Sequence, residues 1–225
     1  LGNDEKYIRD VCEAAEETHP TFIAVFGSPI AAMTGTDFRG VARVIEKRTG
    51  IPTLHFDTSG MHTYQVGMRQ AFRALAERFV DEKSAPVKDT DAIKINLLGL
   101  TPLDFSVVGN VEALLDWCAA EGFDVISSWA MHTTLSDIAR SAEADVNLVL
   151  SSTALDAANV LQERFGTPYV IGLPMGADAC GRIADLLKEA ARTGENRALW
   201  DEAASSDPDA PRTLILGEPV FAASL

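Results

Sequence analysis

The 225-residue chain lacks the motifs that several common enzyme classes require. No G-x-G-x-x-G opens a helix, so a dinucleotide site of the usual kind is not predicted. No G-x-x-x-x-G-K-[ST] is present, which argues against ATP hydrolysis on a P-loop, and no G-x-S-x-G provides a nucleophile elbow. Because each chemistry depends mechanically on its motif, these absences argue against the corresponding enzyme classes.

Cysteine is scarce. Cys12, Cys118 and Cys180 lie far apart without a C-x-x-C pair, so the spacing predicts neither a zinc site nor a disulfide framework. A reducing, cytoplasmic setting fits this usage. Cys12 and Cys118 fall on apolar helix faces and are predicted to be buried thiols. Cys180 has two interpretations: a structural thiol on the apolar stripe of its helix, or a reactive or cluster-ligating thiol whose pKa is lowered by the first turn of that helix.

Basic residues are also few, at 19 Lys and Arg against 33 Asp and Glu, for a formal net charge of −14. Nucleic acids and anionic membrane surfaces are therefore not predicted partners. No apolar run approaches the roughly 20 residues that span a bilayer, and no signal sequence opens the chain. The chain starts without Met and stops just after a predicted strand, so we expect an internal fragment of a longer protein.

The chain does contain a near-continuous alternation of strand and helix patterns. Apolar runs such as IKINLLGL and DVNLVLS predict buried strands, and RTLILGE predicts the last one. Between them lie amphipathic patterns such as TDFRGVARVIEKRTG, with Thr36 or Asp37 near its N-cap and Gly50 at its end. This alternation predicts an α/β fold with two Rossmann-like, doubly wound parallel-sheet domains, the first of them incomplete.

The polar stretch DEKSAPVKDTDA interrupts the alternation and contains a proline, which is typical of a linker. The predicted organisation is therefore a partial α/β domain at 1–84, a linker at 85–91 and a second α/β domain at 92–210. Residues 211–225 are predicted to begin a third unit or to return to the first.

Ligands of open α/β sheets collect beyond the carboxyl ends of the strands. Two histidines, His62 and His132, fall near such ends and are predicted either to donate a proton near neutral pH or to be solvated loop residues. Spacing alone does not bring the histidines together, so no metal site is predicted.

Five stretches of the chain carry a family resemblance, in order and in spacing. They are NDEKYIRDVCEAAEETHPTFIAVFGSPIAAMTGTDFRGV, GIPTLHFDTSGMHTYQVGMRQAF, INLLGLTPLDFSVVGNVEALLDWCAAEGFDVISSW, EADVNLVLSSTALDAANVLQERFGTPYVIGLPMG and RTLILGEPVFAASL. They resemble the nitrogenase component 1 family. That family includes the α and β chains of the molybdenum-iron protein, their cofactor-assembly homologues and light-independent protochlorophyllide reductase. The resemblance covers nearly the whole chain.

The resemblance implies an oxidoreductase subunit that receives electrons from a separate ATP-dependent iron-sulfur reductase for reduction of an unknown substrate. Its implied partners are that reductase and a homologous component 1 subunit, in a homo- or hetero-oligomer. An iron-sulfur cluster is implied only for the full-length complex, between two such subunits. The fragment alone is not expected to be active.

The resemblance also implies ligand positions. The family's interface-cluster cysteine corresponds to Ser28 or Pro29, and its cofactor-binding cysteine corresponds to about Ser151. A serine hydroxyl stays protonated at neutral pH, whereas iron-sulfur clusters need thiolates, so no cluster is expected in this fragment. The predicted cofactor-binding positions are Ser28, Gly60, His62, Ser151 and Cys180.

Two other functions stay open at this point. The serines at the ligand positions also fit a non-catalytic scaffold or cofactor-assembly homologue that has lost its cluster ligands. A third interpretation is a small-molecule binding module whose cleft between the two domains is lined by His62, His132 and Ser151.

Overall fold

Strands and helices alternate through the residues that the computed structural model describes, which are 4–81, 92–106, 108–201 and 214–225. The chain divides into two units, Leu1–Ala71 and Phe72–Leu225. The division falls inside one long helix, whereas the sequence places a boundary at residue 84. The predicted linker at 85–91 lies outside the described residues, and the predicted domain boundaries stay predictions.

The first unit contains a pair of parallel strands. Its elements are α1 (Asp4–Thr18), β1 (Ile23–Phe26), α2 (Pro29–Thr34), α3 (Phe38–Thr49), β2 (Thr53–Phe56) and the beginning of α4 (Tyr64–Phe79). The register pairs Ile23 with Thr53. Ile8 of α1 and Ile45 of α3 pack with Val25 of β1 in one apolar cluster. The two amphipathic helices thus bury their apolar stripes against this strand.

Helix α3 begins and ends where its sequence predicts. The Asp37 carboxylate accepts a hydrogen bond from Gly40 N at 2.9 Å, which satisfies one of the unpaired N–H groups of the first turn. Gly50 adopts a left-handed conformation, and its N–H donates to Glu46 O at 2.8 Å. This is the usual glycine termination of a helix.

The second unit contains a five-stranded sheet in the order β4-β3-β5-β6-β7, with every neighbouring pair parallel. Its strands are β3 (Ile93–Leu100), β4 (Phe123–Ala130), β5 (Val146–Val149), β6 (Tyr169–Ile171) and β7 (Arg197–Ala198). Its helices after α4 are α5 (Pro102–Phe105), α6 (Asn110–Ala120), α7 (Leu135–Ala139), α8 (Leu155–Phe165), α9 (Gly176–Thr193) and α10 (Pro219–Ser224), with 3₁₀ turns at Arg140–Glu143 and Ser152–Ala154. The predicted α/β fold with parallel sheets is confirmed.

The strand order reverses beside β3. The chain passes from β3 to β4 on one side and then to β5 on the other. Doubly wound sheets bind ligands at such a reversal, outside the carboxyl ends of the strands. The ends of β3 and β5 are therefore the place in this unit where a ligand site is expected.

The two faces of the central strand β3 carry different chemistry. Ile95 and Leu97 join an apolar cluster with Leu114 of α6 and Ile183 of α9. Asn96, between them in sequence, is fully buried and belongs to a polar network instead. Successive strand residues point to opposite faces, so the helices α6 and α9 cover the apolar face.

The polar network joins three strands through side-chain hydrogen bonds. Asn96 Nδ2 donates to Asn147 Oδ1 at 2.7 Å and to Ser141 O at 2.9 Å. Ser127 Oγ donates to Asn96 Oδ1 at 2.7 Å, and Trp129 Nε1 donates to Ser127 Oγ at 2.9 Å. Buried polar groups are costly unless they are paired, so each member of the network depends on the others.

The strand predicted in RTLILGE is wrong in its described part. Residues 214–217 form no strand, and Leu214 and Leu216 are exposed. The chain instead begins α10 at Pro219, because the Glu218 carboxylate accepts hydrogen bonds from Val220 N at 2.8 Å and Phe221 N at 3.0 Å. Proline has no N–H for a strand ladder but fits the first position of a helix.

Replacing Asn96 tests the polar network. Asn96→Ala removes the acceptor of Ser127 and the donor to Asn147, and both remaining groups are buried. We expect the free energy of unfolding, measured by urea denaturation, to fall by about 1–3 kcal/mol. Asp185→Ala, at an exposed position of α9, is the matched control and should change it by less than about 0.5 kcal/mol. Equal effects of both substitutions would contradict the interpretation.

Candidate functional site

Ser151 lies two residues after the end of β5, at the edge of the second unit's sheet where the strands have their carboxyl ends, and is fully buried. Its Oγ lies 2.9 Å from Thr153 Oγ1, 3.3 Å from Asp104 Oδ2 and 3.4 Å from Glu218 Oε1. Gly99 of β3 permits this arrangement, because a Cβ there would lie 3.1 Å from Ser151 Cβ and its φ is +98°. The side chains at this edge are therefore hydroxyls and carboxylates.

Glu218 ties the end of the described chain to this edge. Its Oε1 accepts a hydrogen bond from Ser152 N at 2.6 Å, while its Oε2 caps α10. Ser224, at the other end of α10, accepts a hydrogen bond at Oγ from Leu173 N at 3.0 Å. Helix α10 is thus held at both ends against loops that follow β5 and β6.

Asp104 and Glu218 are the carboxylates of this edge, and neither is among the site residues predicted from the sequence. Each lies in a local sequence pattern that is typical of the start of a helix. Thr101 and Asp104 form a T-x-x-D pattern, and Asp104 N lies 3.3 Å from Thr101 Oγ1 at the start of α5. Glu218 directly precedes a proline, as a helix N-cap does. Nothing local, however, places either carboxylate beside Ser151.

In the first unit, Ser28 and Gly60 come together at the carboxyl ends of β1 and β2. Ser28 is the N-cap of α2, and its Oγ accepts a hydrogen bond from Ala31 N at 3.3 Å. Gly60 has φ +70°, and a Cβ there would lie 2.9 Å from Pro29 Cγ. The glycine therefore lets the loop after β2 approach the Ser-Pro turn. His62 lies two residues further along this loop and is exposed.

His132 lies in the second unit, in the loop after β4. It is exposed, has φ +57°, and its Nε2 is 3.3 Å from Glu112 Oε1. His132 and Ser151 thus belong to one unit and His62 to the other. A cleft lined by all three side chains stays a prediction.

Cys180 is the fifth residue of α9 and is partly buried. Burial, and secondarily the negative charge of Glu121, raise the pKa of its thiol. This direction is opposite to that of the reactive-thiol interpretation and agrees with the other interpretation, a structural thiol on the apolar stripe of the helix. Helix α9 begins at Gly176, so Cys180 lies beyond its first turn. The unpaired N–H groups and the helix dipole, which would lower the pKa of a thiol, act within that first turn. At neutral pH the thiol is protonated.

The other two thiols, which the sequence predicts to be buried, differ in their exposure. Cys118 is fully buried in the apolar cluster, and burial raises its pKa to about 12. Cys12 is partly buried and packs against the apolar cluster of the first unit. Cys118 is therefore not presented to a ligand as a thiolate.

Neither serine at an implied ligand position offers a thiolate to an iron-sulfur cluster. Within the described ranges, no group of three or more His, Cys, Asp and Glu side chains could hold a metal ion. The Ser28 hydroxyl caps a helix and the Ser151 hydroxyl is enclosed in its own network. Iron-sulfur clusters need thiolates, and neither position supplies one.

The fold and the edge define a class of protein. A parallel sheet whose strand order reverses, with polar side chains gathered at the reversal, is the arrangement of doubly wound ligand-binding α/β proteins. Within that class, the chain belongs to the nitrogenase component 1-type oxidoreductase family, whose model matches residues 1–207. In the described part of the chain, no helix has both the length and the apolarity to cross a membrane.

The curated proteins to which the chain is similar include cofactor biosynthesis proteins and reductase subunits. The nitrogenase iron-molybdenum cofactor biosynthesis protein NifE of Methanosarcina barkeri is 27% identical over 179 residues, which cover 76% of this chain and 38% of that protein. A light-independent protochlorophyllide reductase component of Dinoroseobacter shibae is 30% identical over 186 residues, which cover 80% of this chain and 34% of that protein. The chain thus spans between a third and two fifths of the length of these relatives.

Solved structures share the fold. The structures described as nitrogenase Cp1 at pH 5 and at pH 6.5 superpose with TM-scores of 0.60 and 0.61, at 20% identity. Each covers 85% of this chain, and the matched parts make up 41% and 40% of the two solved chains. At this identity the likeness extends to the fold alone.

The raised pKa of Cys180 predicts its reactivity. The thiolate attacks the methylene carbon of iodoacetamide and displaces iodide, so alkylation of Cys180 in the folded protein at pH 7.5 should be several-fold slower than in the urea-unfolded chain. Glu121→Gln removes a negative charge that raises the pKa, so this variant should be alkylated faster at pH 8.5 than the wild type. Mass spectrometry of the labelled peptide measures both rates. Faster labelling of the folded wild type than of the unfolded chain would disprove the assignment.

Proposed function

We propose that this chain is part of a nitrogenase component 1-like oxidoreductase subunit in which it supplies framework and not cluster ligands. In the complete complex, an ATP-dependent iron-sulfur reductase delivers electrons, and any iron-sulfur cluster is held by residues outside the described ranges or by a homologous partner subunit. Membership of the family supports the redox setting. The substrate is not specified by any side chain described above.

The observation that carries this proposal is the use of the two serine hydroxyls. Ser28 Oγ is committed to the first turn of α2, and Ser151 Oγ lies within 3.4 Å of three oxygen atoms on other side chains. Both hydroxyls accept hydrogen bonds at the start of a helix, as is usual for an N-cap serine. To ligate a cluster, either serine would have to give up these contacts. Its hydroxyl would also have to lose a proton that serine retains at neutral pH.

A protein partner is supported by the surface beside Ser28. Ile30 and Met33 of α2 are 75% and 88% exposed, and Met61, next to Gly60, is 81% exposed. Apolar side chains gathered around one edge are typical of a surface that another protein segment covers. A homologous subunit on this side is consistent with the hetero-oligomer that the family resemblance implies.

Iron analysis of variants tests the framework role. The full-length protein, purified anaerobically with its partner subunit, should keep the same iron and acid-labile sulfide per subunit after Ser28→Ala or Cys180→Ala, because neither side chain ligates iron in this proposal. Ser28→Ala should cost only about 1 kcal/mol of stability through the lost cap. Loss of iron in either variant, with the fold retained by circular dichroism, would refute the proposal.

A second function is favoured by the similarity to NifE proteins, several of which match at 23–27% identity. In this alternative the subunit is a cofactor-assembly homologue, and the serines mark lost ligands. Anaerobic mixing with the ATP-dependent reductase and dithionite separates the two functions. ATP-dependent bleaching of visible absorbance supports the reductase subunit, whereas an iron-free, colourless protein supports the scaffold or assembly homologue.

A further inference from the structure

A cavity of about 320 Å³ opens in the second unit among α5, α6, α9 and α10. Three aromatic side chains, Phe105, Trp117 and Phe221, contribute to its walls, and Leu114 adds aliphatic surface. The polar side chains of the wall are few. A concave, mainly apolar cavity of this volume with a small number of polar groups has the character of a small-molecule site.

One of those polar side chains is a carboxylate. Asp104 lines the cavity from α5 and is partly buried. Thr101 Oγ1 donates a hydrogen bond to Asp104 Oδ2 at 3.1 Å, and Ser151 Oγ lies 3.3 Å from the same oxygen. Hydroxyl groups are neutral, so these two contacts leave the charge of the carboxylate in place. The cavity therefore has a negative charge in its wall.

The second polar side chain adds an acceptor. Asn110 lines the cavity from the start of α6, and its Nδ2 donates a hydrogen bond to Phe105 O. This bond identifies the other polar atom of the amide as Oδ1, which accepts hydrogen bonds. Carboxylate and amide oxygens thus face the same cavity, and they are complementary to a ligand that donates from N–H groups.

The surroundings of the cavity are also negative. Among the described residues that line it there is no Lys, Arg or His. Cys180 lines it as well, and burial, followed by the charge of Glu121, raises the pKa of its thiol. Lys188 Nζ lies 3.4 Å from Glu121 Oε2 and offsets part of this charge. A wall of this kind disfavours anions and favours a cation.

The walls favour an organic cation over a metal ion. Hard metal ions take several oxygen ligands, and within the described ranges no group of three or more His, Cys, Asp and Glu side chains could hold a metal. An aromatic ring, in contrast, attracts an organic cation through the negative face of its π-system. Apolar walls also bury the body of an organic ligand, which a bare ion does not have.

We propose that this cavity binds a primary arylalkylammonium ion, with its N–H groups donating to the Asp104 carboxylate and its apolar body against the aromatic walls. The charge selects the cation, and the enclosed apolar surface supplies the remaining affinity. The site does not involve a cluster, and it goes beyond the function proposed above without depending on it.

Three probes of similar shape test the proposal on the full-length protein by isothermal titration calorimetry at pH 7.5. 2-Phenylethylammonium is a cation, 2-phenylethanol is its neutral counterpart, and 3-phenylpropanoate is an anion. The ammonium ion should bind about tenfold more tightly than the alcohol, as expected for a hydrogen bond to a charged group, and the anion should bind weakest. Absence of ammonium binding, or equal affinity for ammonium and alcohol, would overturn the proposal.

Removing the charge of Asp104 tests its role. Asp104→Asn keeps an acceptor for Thr101 but removes the charge, so the preference for ammonium over alcohol should fall to about twofold or less while the alcohol binds as before. Asp116→Asn, at an exposed position of α6 that does not line the cavity, is the matched control and should keep the full preference. A preference retained in Asp104→Asn, or equal loss of both ligands, would contradict the proposal.

A bulky side chain locates the binding. Ala113 lines the cavity from α6, so Ala113→Trp should obstruct it and abolish binding of the ammonium ion. Ala119→Trp, at an exposed position of the same helix that does not line the cavity, is the matched control and should bind the ammonium ion as the wild type does. Wild-type affinity in Ala113→Trp, with the fold retained by circular dichroism, would place the probe elsewhere and refute the assignment.

Discussion

The parallel pairing of β3 with β5 is the constraint on which the second unit depends. It sets Asn96 opposite Asn147 and Leu97 opposite Leu148. A slip of β5 by one residue would turn Asn147 into the apolar cluster and Leu148 into the polar network. The same pairing brings Gly99 against Ser151, so it also shapes the edge at the carboxyl ends of the strands. Register and site are therefore fixed together.

That edge is filled by the chain's own oxygen atoms. Two carboxylates, Asp104 and Glu218, approach the single hydroxyl of Ser151, and Glu218 also accepts from a backbone N–H. In the first unit, the hydroxyl of Ser28 is used in the same local way. The chain has the fold of the family, and serine hydroxyls stand at the two positions that the resemblance implies for ligands. A fold alone does not fix a function.

Local patterns in the sequence predict much of this fold but little of the site. Apolar runs identify β3 and β5, and Asp37 marks the start of α3, because these signals act over a few residues. The strand expected in RTLILGE fails because an apolar run does not reveal that Glu218 caps a helix. The contact between Glu218 and Ser151 joins residues 67 positions apart, so only the folded chain can show it.

The thiol of Cys180 shows how a small shift in an element changes a chemical conclusion. A helix that began near residue 178 would place the thiol in its first turn, where the dipole favours a thiolate; a start at Gly176 moves it beyond that turn. Burial then dominates and raises the pKa. An environment that resists negative charge is a poor place for a cluster thiolate.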